Sequence, residues 1–169
     1  MQKRTAIKTT ALLLSFFLLT PAFWPAEAKP KPCKNCYCSV TATNVYFGSY
    51  DTLSGLAVDS AGNVEVVCGT DTIGDVMSYE IELSGSKGTT PREMKGPGRY
   101  RLEYNLYTDV GRTTIWGNGK KGTAVVTDSY TFPVLCCVTR NYTVYGRIDA
   151  GQIVAPGAYS DTITLKIDF

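Results

Sequence analysis

The sequence predicts an all-β chain folded as an antiparallel β-sandwich. Three observations predict it. Apolar residues recur at every second position in short runs, the runs are rich in Val, Ile, Tyr and Thr, and Gly, Asp, Asn and Pro separate them. No stretch carries a helical period with caps. One polar face per strand calls for antiparallel pairing, with the other face turned to a core.

The chain opens on an export signal. Lys3, Arg4 and Lys8 precede an apolar run from Ala11 to Leu19, then Pro21, Pro25 and the small-residue site Ala26-Glu27-Ala28. That is the pattern of a cleaved signal peptide over residues 1–28. The apolar run is shorter than the roughly 20 residues a membrane span needs. Cleavage leaves 141 of the 169 residues, enough for one domain with a core. It removes three of 17 basic and one of 15 acidic residues, leaving 14 of each. A nucleic-acid binder shows a basic excess or patch, and neither is present.

Residues 29–37 form a polar arm rich in Pro and Cys, which is expected to be extended. The domain follows over residues 38–169. Cys38, Val40 and Ala42 alternate inward, and Val45 and Phe47 continue the face after a bulge near Thr43 and Asn44. A turn at Ala61, Gly62 and Asn63 opens the next strand, in which Val64, Val66 and Cys68 share a face. Tyr79, Ile81 and Leu83 define a third strand, and Leu102, Tyr104 and Leu106 a fourth. Tyr142, Val144 and Ile148 define a fifth. Ile163, Leu165, Ile167 and Phe169 define the last. A chain that ends on an inward-facing Phe169 is expected to be built into a sheet or held by a partner.

All six cysteines lie beyond the signal, and an even count in an exported chain reads as disulfides. Cys38 opens one strand and Cys68 closes the next, both facing inward, so they are expected to pair. The loop of about 30 residues would contribute roughly 3–4 kcal/mol. Cys136 and Cys137 point to opposite faces if extended, so each is expected to reach a different partner. Cys33 and Cys36 are the candidates, and the connectivity among these four stays open. The spacing of Cys33, Cys36 and Cys38 also suits a thiolate metal site or a redox pair. Pro32 before it and a strand after it deny the helix N-terminus a redox pair needs, and export favours disulfides.

The sequence has no histidine, which removes the commonest general base and metal ligand. Asp109, Asp128 and Asp161 have no pattern that would bring two together, and each reads as a solvated strand-face carboxylate. The stretch Gly117-Asn118-Gly119-Lys120 lacks a phosphate-loop pattern and reads as a turn. No catalysis, cofactor, metal or small-molecule substrate is expected.

Several blocks carry a family likeness. They are CSV at 38–40, VYFGSY at 45–50, GNVEVVC at 62–68, RYRLEYNLYTD at 99–109, IWGNG at 115–119, YTVYGRI at 142–148 and GAYSDTITLKIDF at 157–169. In this order they resemble the spore coat protein U family, which includes subunits of archaic chaperone–usher pili. The resemblance implies an immunoglobulin-like sandwich lacking one strand, which a periplasmic chaperone and then a neighbouring pilin subunit supply. It matches the Cys38–Cys68 pairing, and it implies an outer-membrane usher as a further partner. The expected docking edge is the last strand: Thr162, Ile163, Thr164, Leu165, Lys166, Ile167, Asp168 and Phe169. The arm departs from the pattern. It lacks the alternating apolar residues of a strand donor, and proline removes ladder donors. The expected function is an exported structural or adhesive subunit of a surface fibre, a minor or tip component for attachment or biofilm. The alternative is a spore or cell-surface coat protein, and a secreted enzyme or metal-thiolate protein is the third reading.

Overall fold

The computed structural model describes Cys33, residues 35–85 and residues 91–169. The export signal, most of the arm and residues 86–90 fall outside these residues. Eight strands and no helix are found among the described residues. They are β1 (Tyr37–Ala42), β2 (Val58–Gly69), β3 (Val76–Gly85), β4 (Arg92–Lys95), β5 (Arg101–Tyr107), β6 (Val126–Thr131), β7 (Val138–Ile148) and β8 (Ile163–Asp168). Five pair in the order β1-β2-β7-β5-β4 and three in the order β6-β3-β8, every pair antiparallel.

The two sheets bury opposed faces, as the period-two pattern requires. Val64, Val66, Cys68, Leu102, Tyr104, Leu106, Val144 and Ile148 come from the larger sheet. Met77, Tyr79, Ile81 and Leu83 come from the smaller. Trp116 is fully buried between them, and its Nε1 donates to Ile81 O at 2.9 Å. Its backbone N donates to Leu106 O at 2.9 Å, so this residue ties β5 to β3. Arg92 is also buried, and its Nη2 donates to Leu83 O and Trp116 O at 3.1 and 2.6 Å.

The structure departs from the sequence reading at four places. Ala61, Gly62 and Asn63 do not turn; β2 runs straight through them, paired with Tyr145, Val144 and Thr143. Gly62 is there because residues 43–45 cross over it: a Cβ would come within 2.9 Å of Thr43 O and of Val45 Cγ2. Second, β1 ends at Ala42 without a bulge, and residues 43–50 leave the sheet while Val45 and Phe47 still pack on the core. Third, β4 and β6 are additional strands. Fourth, Phe169 is 61% exposed, not inward. The ladder between β3 and β8 ends at Glu80 and Asp168, so Phe169 lies beyond the last paired residue.

Candidate functional site: a groove beside the last strand

The smaller sheet has only three strands to cover five, so the sandwich is open along one flank. β8 forms that flank. One edge of β8 pairs with β3, and no strand among the described residues pairs with the other. Its inward positions Ile163, Leu165 and Ile167 are half-buried, while Thr164, Lys166 and Asp168 point out. Thr162 precedes the strand and Phe169 follows it.

Residues 43–50 face β8 across the opening. They are held on the larger sheet by close packing on two glycines. At Gly146 a Cβ would meet Phe47 Cζ at 2.7 Å and Val45 Cγ1 at 2.8 Å. The Phe47 ring then meets Tyr104 edge-on, with centroids 5.8 Å apart. Between β8 and this segment lies a groove of about 930 Å³. Its floor is Val64, Leu83, Met94, Leu102, Leu106, Val144 and Ile148, all core residues. The hydrophobic core therefore opens directly into the groove.

A side-chain polar pair stands in the groove. Tyr104 Oη donates to Asp161 Oδ2 at 2.9 Å. Burial raises the Tyr104 phenol well above its usual range, and the hydrogen bond to Asp161 and its charge raise it further. The groove thus presents a neutral phenol that donates to the Asp161 carboxylate. Asp109 is engaged by Thr113 and Thr114 and Asp128 by Tyr142, so these three carboxylates serve separate local networks.

The cysteines lie at the opposite pole. Cys38 and Cys68 face each other in register across β1 and β2 and are disulfide-bonded. Cys33 is bonded to Cys36 and Cys136 to Cys137, which corrects the expected pairing between the arm and the Cys136–Cys137 neighbours. Cys136 is not extended: its φ is +59°, which turns the neighbouring side chains together. Its N also donates to Thr70 O at 3.2 Å. Tyr37 stands over Gly69 with its hydroxyl 3.5 Å from Cys136 Sγ, while Cys33 Sγ lies 3.2 Å from Asp75 Oδ2. Donor atoms of Cys33, Cys36 and Asp75 lie within 4.8 Å of one another, but both sulfurs are spent in the disulfide.

The sequence located β8 as an edge but missed the groove floor and the crossing of residues 43–50. The one available signal was the pair of inward-phase glycines, Gly62 and Gly146, which mark a close backbone approach. The site is an open groove floored by core residues and flanked by an unpaired strand edge. A family model described as Spore Coat Protein U domain matches residues 28–166. The chain belongs to the spore coat protein U family.

A Myxococcus xanthus relative named Protein U is 30% identical over 187 aligned residues, 97% of this chain and 99% of that protein. A crystal structure of the CsuC–CsuE chaperone–tip adhesion subunit pre-assembly complex is similar in fold. It comes from the archaic chaperone–usher Csu pili of Acinetobacter baumannii, with TM-score 0.50 and 22% identity, over 79% of this chain. The chain spans 40% of the length of that structure's chain. The family description is of a coat protein and the structure is of a pilus subunit with its chaperone; neither is an enzyme.

Proposed function

We propose that this chain is a strand-accepting subunit of a chaperone–usher surface fibre. The observation that carries the reading is the groove: an unpaired β8 edge beside an opening into the core. A donated strand answers both defects, since its backbone pairs with β8 and its alternate side chains fill the groove. Four or five such side chains would contribute on the order of 10 kcal/mol before ordering costs. That matches the whole stability of a typical domain. The donors are a periplasmic pilus chaperone, then a neighbouring pilin subunit placed by an outer-membrane usher. The docking edge is residues 162–169.

In this reading residues 1–28 are removed on export, residues 29–37 form the arm and residues 38–169 the accepting domain. The arm carries Pro30 and Pro32 and no alternating apolar run, so the chain receives a strand without giving one. That suits a tip or minor position, with attachment or biofilm formation as the outcome and the cell surface as the destination. The match to a family model described as a spore coat protein domain, over residues 28–166, favours a second reading, a surface or spore coat protein not assembled into fibres.

Periplasmic expression of the mature chain with and without a pilus chaperone tests the proposal. A soluble complex with the chaperone, and rapid loss without it, is expected. A stable monomer without any partner contradicts it, and a ladder of homopolymers from this chain alone contradicts the receiver-only role.

A further inference from the structure

The inward row of β8 begins one step before the strand does. Asp161, Ile163, Leu165 and Ile167 are half-buried at every second position, while Thr162, Thr164, Lys166 and Asp168 are exposed. The first of the four inward residues is a carboxylate. Its backbone is fixed by the neighbouring bridge of Ser160 to Lys95, whose two hydrogen bonds measure 2.7 and 3.0 Å. Its side chain is fixed as well: Oδ2 accepts from Tyr104 Oη at 2.9 Å and Oδ1 from Thr162 N at 2.8 Å. Both donors are neutral, so they hold the carboxylate in place without cancelling its charge.

The groove is acidic. Among its described lining residues the charged ones are Asp51 and Asp161, and none is basic. Asp51 is exposed, and its Oδ1 accepts from Leu53 N at 2.9 Å. Asp161 is the one set in the apolar row. The buried Arg92 acts on it through space, but the Arg92 Nη2 is committed to Leu83 O and Trp116 O. A strand paired to the open edge of β8 stands beside this row and takes Asp161 further out of water. Removing a carboxylate from water costs more than a neutral hydrogen bond returns, unless a cation comes with it.

We infer that Asp161 selects the segment the groove takes: a strand of alternating apolar side chains whose inward residue beside Asp161 is Lys or Arg. The inference rests on the strand-accepting reading and adds the charge of the occupant to it. Opposite charges that face each other across paired strands attract. A long basic side chain also suits a site that is apolar below and acidic at its end, since its methylenes cover apolar surface while its head reaches the carboxylate. An acidic residue at the same place meets a like charge in a half-buried site, the means by which an interface turns away a wrong partner.

The test titrates the mature chain with synthetic peptides of about ten residues, long enough for one strand, that alternate Val or Ile with Ser or Thr. The first or the last inward residue of each is Lys, Gln or Glu, which covers both directions in which a strand can lie along β8. In one of the two placements the Lys peptide is expected to bind about tenfold tighter than the Glu peptide, with Gln between them, and added salt should narrow the gap. D161N, its fold checked by circular dichroism, should bind the three alike, and D51N should keep the preference. Equal binding of the Lys and Glu peptides to the unmodified chain overturns the inference, as does a preference that survives in D161N or is lost in D51N. If none of the peptides binds the unmodified chain, the strand-accepting reading itself falls, and the selection with it.

Discussion

At the scale of single residues, Tyr142 joins the two sheets through polar contacts. Its hydroxyl donates to Asp128 Oδ2 at 2.6 Å and lies 2.6 Å from Tyr79 Oη, linking β7 to β6 and β3. Arg140 pairs with Asp128 at 3.4 Å and stacks over Tyr130. Burial raises all three phenols; Tyr130 is pushed up to about 12, and the Asp128 carboxylate holds Tyr142 further up. Unfolded tyrosines ionise near pH 10 while the folded ones keep their protons. Their contribution is therefore complete below about pH 10 and is lost as pH rises above it. Urea midpoints are expected to show no tyrosine-linked fall between about pH 7 and 9 and to drop above about pH 10. Tyr142→Phe should cost about 1–2 kcal/mol at neutral pH in the same assay, because Asp128 loses a donor.

The cysteines separate by exposure. Cys68 is fully buried, whereas Cys136 and Cys137 are exposed. Limited reductant followed by alkylation and peptide mass analysis should label Cys136 and Cys137 well before Cys38 and Cys68. Early labelling of Cys68 would contradict the packing. Replacing Cys38 and Cys68 together by serine should lower stability by about 3 kcal/mol.

At the scale of elements, the residues that spelled out strands were those with clean alternation. The cores of β3, β5, β7 and β8 are legible in Tyr79-Ile81-Leu83, Leu102-Tyr104-Leu106, Val144-Ile148 and Ile163-Leu165-Ile167. β4 is not, because one of its two inward positions is Arg92, a charge that reads as outward until Leu83 O and Trp116 O are seen to receive it, which leaves Met94 as a lone apolar signal. β6 hides in the same way behind inward Asp128. Gly62 reads as a turn because periodicity reports facing, not what crosses above. Only the fold brings residues 43–45 onto it. The β8 edge was legible and the groove floor was not, since the floor gathers segments far apart in sequence. Gly62→Ala and Gly146→Ala should each displace residues 43–50 and cost about 1–3 kcal/mol by overpacking. Chemical denaturation reads the cost, and an unchanged midpoint would show that the segment is free to move.

At the scale of the whole molecule, the sheets are asymmetric: five strands face three, and the uncovered core opens beside β8. A fibre subunit needs that opening; a self-sufficient coat protein does not. Amide hydrogen exchange of the mature chain, alone and with a purified pilus chaperone, addresses the asymmetry directly. Complex formation should leave β2 and β7 as protected as before, since each is paired on both edges. It should slow exchange sharply along β8, Ile163–Asp168, and in residues 43–50. Amides of β8 that are unchanged by the chaperone, or already fully protected in the isolated chain, would contradict the strand-accepting account.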